Sequence, residues 1–333
     1  MDVIAPDDDR LAWEGVAALV RDGDWWQPWR LPPDRLPTAH APELDRHARM
    51  PAGARIALET DATGIVISLE GDVESSPLDV LVDGEHTHRL AVAQGYNRVD
   101  VTIQPGPKHV EIWLPQFGET RVGNLAFSGH SRVAPWRRER PRWTTYGSSI
   151  THCRAADGPC ETWPALVSRR HDWDLTCLGF GGECHLDPVV ARTIRDTPAD
   201  IVSLCLGINI YGRGSFHERS LASAVSGFIE TIREGKPQTP IVVITPIISP
   251  EREETPNLVG MTLSEVRGHV ATAAGTLMRL GDPNLFLVDG REVLGEEDTE
   301  LLFDGLHPSA DGYRLMADRL APKLERAFLG ARR

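Results

Sequence analysis

The chain has 333 residues, 41% of them hydrophobic, and a formal net charge of −13. Such a length exceeds one average domain, so two are expected, each with enough apolar residues for a core. The acidic balance argues against a nucleic-acid partner, because phosphate binding needs clustered Lys and Arg. Positive charge is nearly all Arg, with Lys only at Lys108, Lys236 and Lys323. That bias suggests a high-GC bacterial genome.

The opening segment, residues 1–9, has neither the basic nor the apolar stretch of a signal peptide. No run of about 18 apolar residues occurs, so a cytoplasmic protein without a membrane partner is expected. The cysteines are Cys153, Cys160, Cys177, Cys184 and Cys205. An odd number, all between residues 153 and 205, speaks against a secreted disulfide framework. The shared spacing of Cys153/Cys160 and Cys177/Cys184 leaves a single bridge open.

In chain order, Leu11 to Val20 suggests a short helix. The tryptophan cluster from Trp25 to Trp29 could serve as a ligand platform; an anchor for the N-terminal arm is expected instead. Short strands with turns then follow. Strand segments are 55–60, 64–69, 78–82, 98–103 and 109–114, and Asp83-Gly84 is a two-residue hairpin signal. This spacing predicts a β-sandwich or jelly roll, so the first domain is read as residues 1–135. Residues 131–141, polar and bracketed by prolines, read as a linker.

From residue 136 to the end the pattern alternates strand and helix. Strands are expected at 142–147, 173–178, 200–206, 241–247 and 285–289, several of them short apolar runs suited to a parallel sheet buried on both faces. Helices are expected over 221–233, 263–280 and 310–329. The fold class is α/β, a doubly wound parallel five-stranded sheet preceded by the β-sandwich. Ligands in such sheets bind outside the carboxyl ends of the strands. Ser149, Gly182, Gly207 and Asn209 all fall just after predicted strands.

Ser149 stands at the first strand-to-helix junction, in Thr145-Tyr146-Gly147-Ser148-Ser149-Ile150-Thr151. Taken alone it suits a helix N-cap as well as a nucleophile. Asp304-Gly305-Leu306-His307-Pro308 adds a base and a carboxylate that can bend back onto the imidazole. Acyl transfer also needs donors for a developing oxyanion. Gly179-Phe180-Gly181-Gly182 and Leu206-Gly207-Ile208-Asn209 offer backbone N–H groups and a side-chain amide.

Gly147-Ser148-Ser149-Ile150-Thr151, Gly182, Gly207-x-Asn209 and Asp304-x-x-His307, in that order, resemble the four blocks of the SGNH (GDSL) hydrolase family. The resemblance covers residue 142 to the C-terminus and implies an SGNH, flavodoxin-like fold. It makes Ser149 the nucleophile, His307 the base and Asp304 its orienter, with Ser149 N–H, Gly182 N–H and the Asn209 side chain as oxyanion donors. Ser148 stands where the family usually has Asp, and Ile210 where it usually has Asp after the Asn. Ser148, His152, His185 and Ile210 are candidates for the substrate pocket. The layout also resembles a bacterial subgroup with an N-terminal sandwich, which holds acyltransferases of natural products beside esterases. The sandwich is similar in fold to carbohydrate-binding modules.

The implied activity is ester hydrolysis on short-chain acyl esters, such as acetyl esters of carbohydrates or glycosides, with no cofactor and no metal. The alternative is transfer of an acyl group, for example from acyl-CoA, to a hydroxyl of a small molecule. Rival readings are weaker. A zinc site built from His152, Cys153, Cys160, Cys184 and His185 lacks the tight pairs of such sites. Cys153 lies four residues past Ser149, where it should be inside the helix. An inactive glycan-binding module conflicts with the intact Ser, His and Asp. Nucleotide binding lacks a phosphate-binding loop.

Overall fold

The structure, a computed structural model, describes residues 2–130 and 132–331. The chain divides into two compact units. The first comprises Met1–Asp34, Asp45–Arg140 and Asp157–Cys160; the second comprises Arg35–Leu44, Pro141–Ala156 and Glu161–Arg333.

The first unit is built from β1 (Asp2–Ile4), β2 (Ala12–Glu14), β3 (Ala18–Asp22), β4 (Trp25–Trp29), β5 (Arg55–Thr60) and β6 (Gly64–Gly71). It continues with β7 (Leu78–Val82), β8 (Glu85–Leu90), β9 (Gly95–Thr102), β10 (Lys108–Trp113), β11 (Arg121–Ser128) and β12 (Val133–Pro135). A short helix, α1 (Pro42–Ala48), lies between β4 and β5 in sequence. One antiparallel sheet runs β3-β4-β11-β6-β9 with β1 added on β11; the other runs β12-β5-β10-β7-β8 with β2 added on β5. Alternating residues of both sheets turn inward, among them Ile56 and Leu58 of β5, Ile65 and Ile67 of β6, and Val110 and Ile112 of β10. Each such side chain contributes about 1.5–3 kcal/mol by leaving water. The β7–β8 turn at Asp83 and Gly84 has φ of 52° and 84°, as a two-residue hairpin of this kind requires.

Two expectations fail here. Residues 11–20 form no helix: Ala12–Glu14 pairs with β5, and Ala18–Asp22 pairs with β4. Between them Gly15 takes φ 74°, which breaks any helical run. The presumed linker contributes an edge strand, since Val133–Pro135 pairs with Thr60–Leu58 of β5. Its Ser131 lies outside the described residues. The tryptophan cluster is strand β4, sandwiched between β3 and β11.

The second unit holds the parallel strands β13 (Arg142–Gly147), β14 (Asp174–Gly179), β15 (Ile201–Cys205), β16 (Ile241–Ile244) and β17 (Leu285–Val288). Their order is β14-β13-β15-β16-β17. Helices α2 (Ser149–His152), α3 (Trp163–His171), α4 (Pro188–Asp196), α5 (Ile208–Arg213), α6 (Glu218–Gly235), α7 (Leu263–Arg279) and α8 (Ala310–Gly330) cover it. The sheet is the doubly wound arrangement expected. Its strand order reverses at β13, so the carboxyl ends of β13, β14 and β15 frame the crevice where such sheets bind ligands. The central strands β13, β15 and β16 are almost wholly buried, and buried polar side chains on β13 and β15 bond one another. Trp143 Nε1 donates to Ser203 Oγ at 3.0 Å, and Ser203 Oγ donates to Thr145 Oγ1 at 2.8 Å. No helix of the described residues is long and apolar enough to cross a membrane.

Candidate active site

Strand β13 ends at Gly147, and the chain turns at once into the single-turn helix α2. A Cβ on Gly147 would stand 2.2 Å from Thr151 Oγ1 and 3.1 Å from Cys205 Cβ, so only glycine permits this close approach. Ser148 is the N-cap: its Oγ accepts the Ile150 N–H at 3.2 Å, and the side chain is buried. Ser149 is thereby released from the capping duty and lies only half buried. Its Oγ is 2.9 Å from His307 Nε2.

His307 in turn is oriented by Asp304. The ring Nδ1–H donates to Asp304 Oδ2 at 2.7 Å, and the other oxygen, Oδ1, accepts the backbone N–H groups of His307 at 2.7 Å and Leu306 at 3.0 Å. Gly305 takes φ 71° to close this turn. Burial raises the Asp304 pKa, but the backbone and ring N–H donors of His307 and the N–H of Leu306 outweigh it and hold the carboxyl below its ordinary range. An ionised Asp304 with Nδ1 protonated leaves Nε2 as the acceptor that faces Ser149.

The loop after β14 is pinned by side chains at four points. His152, fully buried, accepts the Gly181 N–H on Nδ1 at 3.3 Å. His185 Nε2 donates to Gly182 O at 2.8 Å, while its Nδ1 meets Ser215 Oγ at 2.9 Å; burial lowers its pKa and favours this neutral ring. Asn209 Oδ1 accepts the Cys184 N–H at 3.1 Å. Tyr146 Oη accepts the Leu186 N–H at 3.2 Å. The Cys184 bond fixes which way the Asn209 amide points, so its NH₂ is left to donate. Gly182 takes φ 76°, a left-handed value that glycine adopts without strain.

Ser149, Gly182 and Asn209 thus stand after β13, β14 and β15, at the carboxyl edge of the sheet. The pocket candidates divide. Ser148, His152 and Ile210 are buried within the fold, and His185 braces the glycine loop. Ile210 is an apolar packing residue, which explains in this chain a position that is usually Asp in the family. Ser at 148 performs the N-cap duty that Asp also performs well.

Sequence reasoning did not single out Tyr146 as a brace, nor Phe303, which is exposed and lies over His307 with ring centroids 5.9 Å apart. Arg213 was also missed. It lies one turn after Asn209 on α5, with Nη2 4.0 Å from where a Cβ on Gly182 would stand. The i, i+4 spacing to Asn209 was the available signal.

The cysteine contact at Ser149 is through backbone, the Cys153 N–H donating to Ser149 O at 2.8 Å. All five cysteines are free, and Cys153 is not inside a helix but caps α2 with φ 61°. Burial pushes its thiol far above the ordinary range, which disfavours the thiolate a nucleophile needs. The five residues weighed as a zinc set do not gather. Among the described residues, the one group with ligand-like spacing is Asp79, His86 and Cys160 in the first unit. There Asp79 already accepts Arg89 Nε at 2.8 Å and Nη2 at 3.0 Å.

Residues 142–325 match the GDSL-like lipase/acylhydrolase family. The chain belongs to that family. A comparison with curated protein sequences found no match. Among solved structures, the salicylyl-acyltransferase SsfX3 from a tetracycline biosynthetic pathway is 31% identical, with a TM-score of 0.91 over 99% of this chain and 97% of that one. A protein of the GDSL-like lipase type from Bacteroides ovatus is 19% identical, with a TM-score of 0.82 over 98% of both chains. A family two carbohydrate esterase from Clostridium thermocellum is 17% identical, with a TM-score of 0.67 over 84% of this chain and 94% of that one. These last two share the fold. Membership of the GDSL-like family makes this chain an acyl-transferring or ester-hydrolysing enzyme.

Proposed function

We propose that the protein is a serine esterase that hydrolyses short-chain acyl esters, including acetyl esters of carbohydrates or glycosides, through an acyl-enzyme on Ser149. The observation that carries this reading is the line Ser149 Oγ–His307 Nε2–Asp304, with contacts of 2.9 and 2.7 Å. His307 Nε2 takes the Ser149 proton as Oγ attacks the ester carbonyl carbon. The carbonyl oxygen gains charge and turns to the Ser149 N–H, the Gly182 N–H and the Asn209 amide, donors worth about 2.7–4 kcal/mol each in such sites. Collapse breaks the C–O bond, and the leaving alkoxide receives the proton from His307. Water, deprotonated by the same nitrogen, then releases the acid and restores Ser149. Base, orienting acid and oxyanion donors all come from the chain, so the cycle calls for no cofactor.

Water as acceptor is supported by the openness of the base. The His307 side chain is 28% exposed and that of Asp304 42%. A second reading, transfer of the acyl group to a hydroxyl of a small molecule, is favoured by the 31% identity to an acyltransferase over nearly the whole chain. The same base would then deprotonate the acceptor alcohol. Product analysis with an activated aryl acetate, in the presence and absence of a sugar or phenolic acceptor, decides between them. Acetate as the sole product supports the esterase; an acetylated acceptor formed in excess of acetate supports the transferase. Release of neither would remove both readings.

A further inference from the structure

The turn that carries Asp304 and His307 is held from outside by a segment the reaction does not use. Ser249 follows β16 and is 1% exposed. Its Oγ donates to the carbonyl of Gly305, the residue after Asp304, at 2.7 Å. Arg252 Nη1 donates to the same Oγ at 3.0 Å, which leaves the Ser249 proton for Gly305. Among the described residues, this bond and the Ser149 contact are the hydrogen bonds that reach residues 304–307 from elsewhere in the chain. The remaining bonds of the turn are local, from Asp304 and from Leu302 and Phe303.

Ser249 is itself fixed. Its N–H donates to Glu253 Oε1 at 3.2 Å. Glu253 takes Arg267 Nη1 and Nη2, each at 2.7 Å, and Arg267 also donates to Pro246 O at 3.0 Å and Ile247 O at 3.1 Å. A buried guanidinium bound twice to a carboxylate and twice to backbone has little freedom. The segment 246–253 is therefore a rigid post, and its Ser249 hydroxyl is the point that meets the catalytic turn.

We infer that Ser249 is a positioning residue, which sets the Asp304–His307 turn at the height where Nε2 meets Ser149. The inference rests on the triad reading above. A small displacement of the base is costly to catalysis, because misplacement by about 1 Å can cost on the order of 100-fold in rate. Ser249→Ala also removes the Arg252 and Gly305 hydrogen bonds together, so the kinetic effect is read on protein shown to be folded, with KM and the His307 resonance separating position from stability.

The test is Ser249→Ala in the full chain, assayed with an activated aryl acetate, with the low-field proton resonance of the His307–Asp304 hydrogen bond recorded alongside. The expected result is a loss of about tenfold or more in kcat, KM within twofold of wild type, and a broadened or lost resonance. Wild-type kcat, or an unmoved resonance, overturns the inference. Ser149→Ala, measured in parallel, separates the two levels of the account. If Ser149→Ala still turns over, the triad reading fails and Ser249 falls with it. If Ser149→Ala is inactive while Ser249→Ala matches wild type, the positioning role fails alone.

Discussion

Ser148 and Ser149 divide the work of one turn: Ser148 Oγ accepts the Ile150 N–H at 3.2 Å, and Ser149 Oγ meets His307 Nε2 at 2.9 Å. Adjacent serines of the same chemistry are thus given different tasks by geometry. Ser149→Ala is expected to lower kcat by at least about a thousandfold with the fold intact. Ser148→Ala removes a cap, at about 0.5–2 kcal/mol of stability, and leaves the Ser149 hydroxyl in place. Steady-state kinetics and thermal unfolding of the two variants check this; a Ser148→Ala enzyme as inactive as Ser149→Ala contradicts it.

Asn209 Oδ1 accepts the Cys184 N–H, and the proposed function gives its NH₂ to the oxyanion. Asn209→Ala is expected to cost about 10²–10³ in kcat. Asn209→Asp keeps an acceptor for Cys184 but loses the donor and places a negative charge where negative charge develops. It should be at least as impaired as alanine. An aspartate variant with near-wild-type kcat would remove Asn209 from the oxyanion site.

Tyr146 is fully buried, and its hydroxyl is the acceptor for the Leu186 N–H. Tyr146→Phe leaves that N–H without its partner, at about 1–3 kcal/mol. The loop that carries Gly182 loosens with it, so kcat is expected to fall several-fold. Thermal melts and kinetics test the two effects together. A phenylalanine variant with unchanged melting temperature and kcat shows the hydroxyl to be dispensable.

His47 gives the first unit a pH dependence. Burial, and then the nearby charges of Arg30 and Arg46, lower its pKa from 6.5 to about 4. Above pH 6.5 folded and unfolded chains both hold it neutral. Between 6.5 and 4 the unfolded chain binds a proton that the native one refuses, so stability falls as pH falls. The contribution lost between pH 7 and pH 5 is about 2 kcal/mol. Denaturant unfolding at the two pH values should show a smaller drop in His47→Leu than in wild type. Equal drops would assign the acid sensitivity to other groups.

How far the sequence alone could be read depended on where each signal is stored. Runs such as Ile241–Ile244 and Ile201–Cys205 are apolar because they are buried on both faces, so local composition reveals them. Strand β11 was not picked out, because a register shift between Val122 and Leu125 interrupts its alternation. Polar β8 has too little inward-facing apolar surface to register. The apolar residues of Leu11–Val20 read as a helix because what makes them strands is pairing with β5 and β4, distant in sequence. At the site, residue type, spacing and chain order group Ser149, Asp304 and His307, and the fold joins the three side chains by hydrogen bonds. The bonds of Tyr146, His152 and Ser249 were not legible, since each joins a side chain to a backbone group that only folding brings near.

In the proposed function, Ser149 carries the acyl group. The most direct test of this is intact-mass spectrometry of the protein quenched during turnover of an activated aryl acetate, followed by peptide mapping. The expected result is a single acetyl adduct on Ser149, absent from Ser149→Ala and accumulating in His307→Ala only far more slowly. An adduct on another residue, or turnover by Ser149→Ala at the wild-type rate, would contradict it.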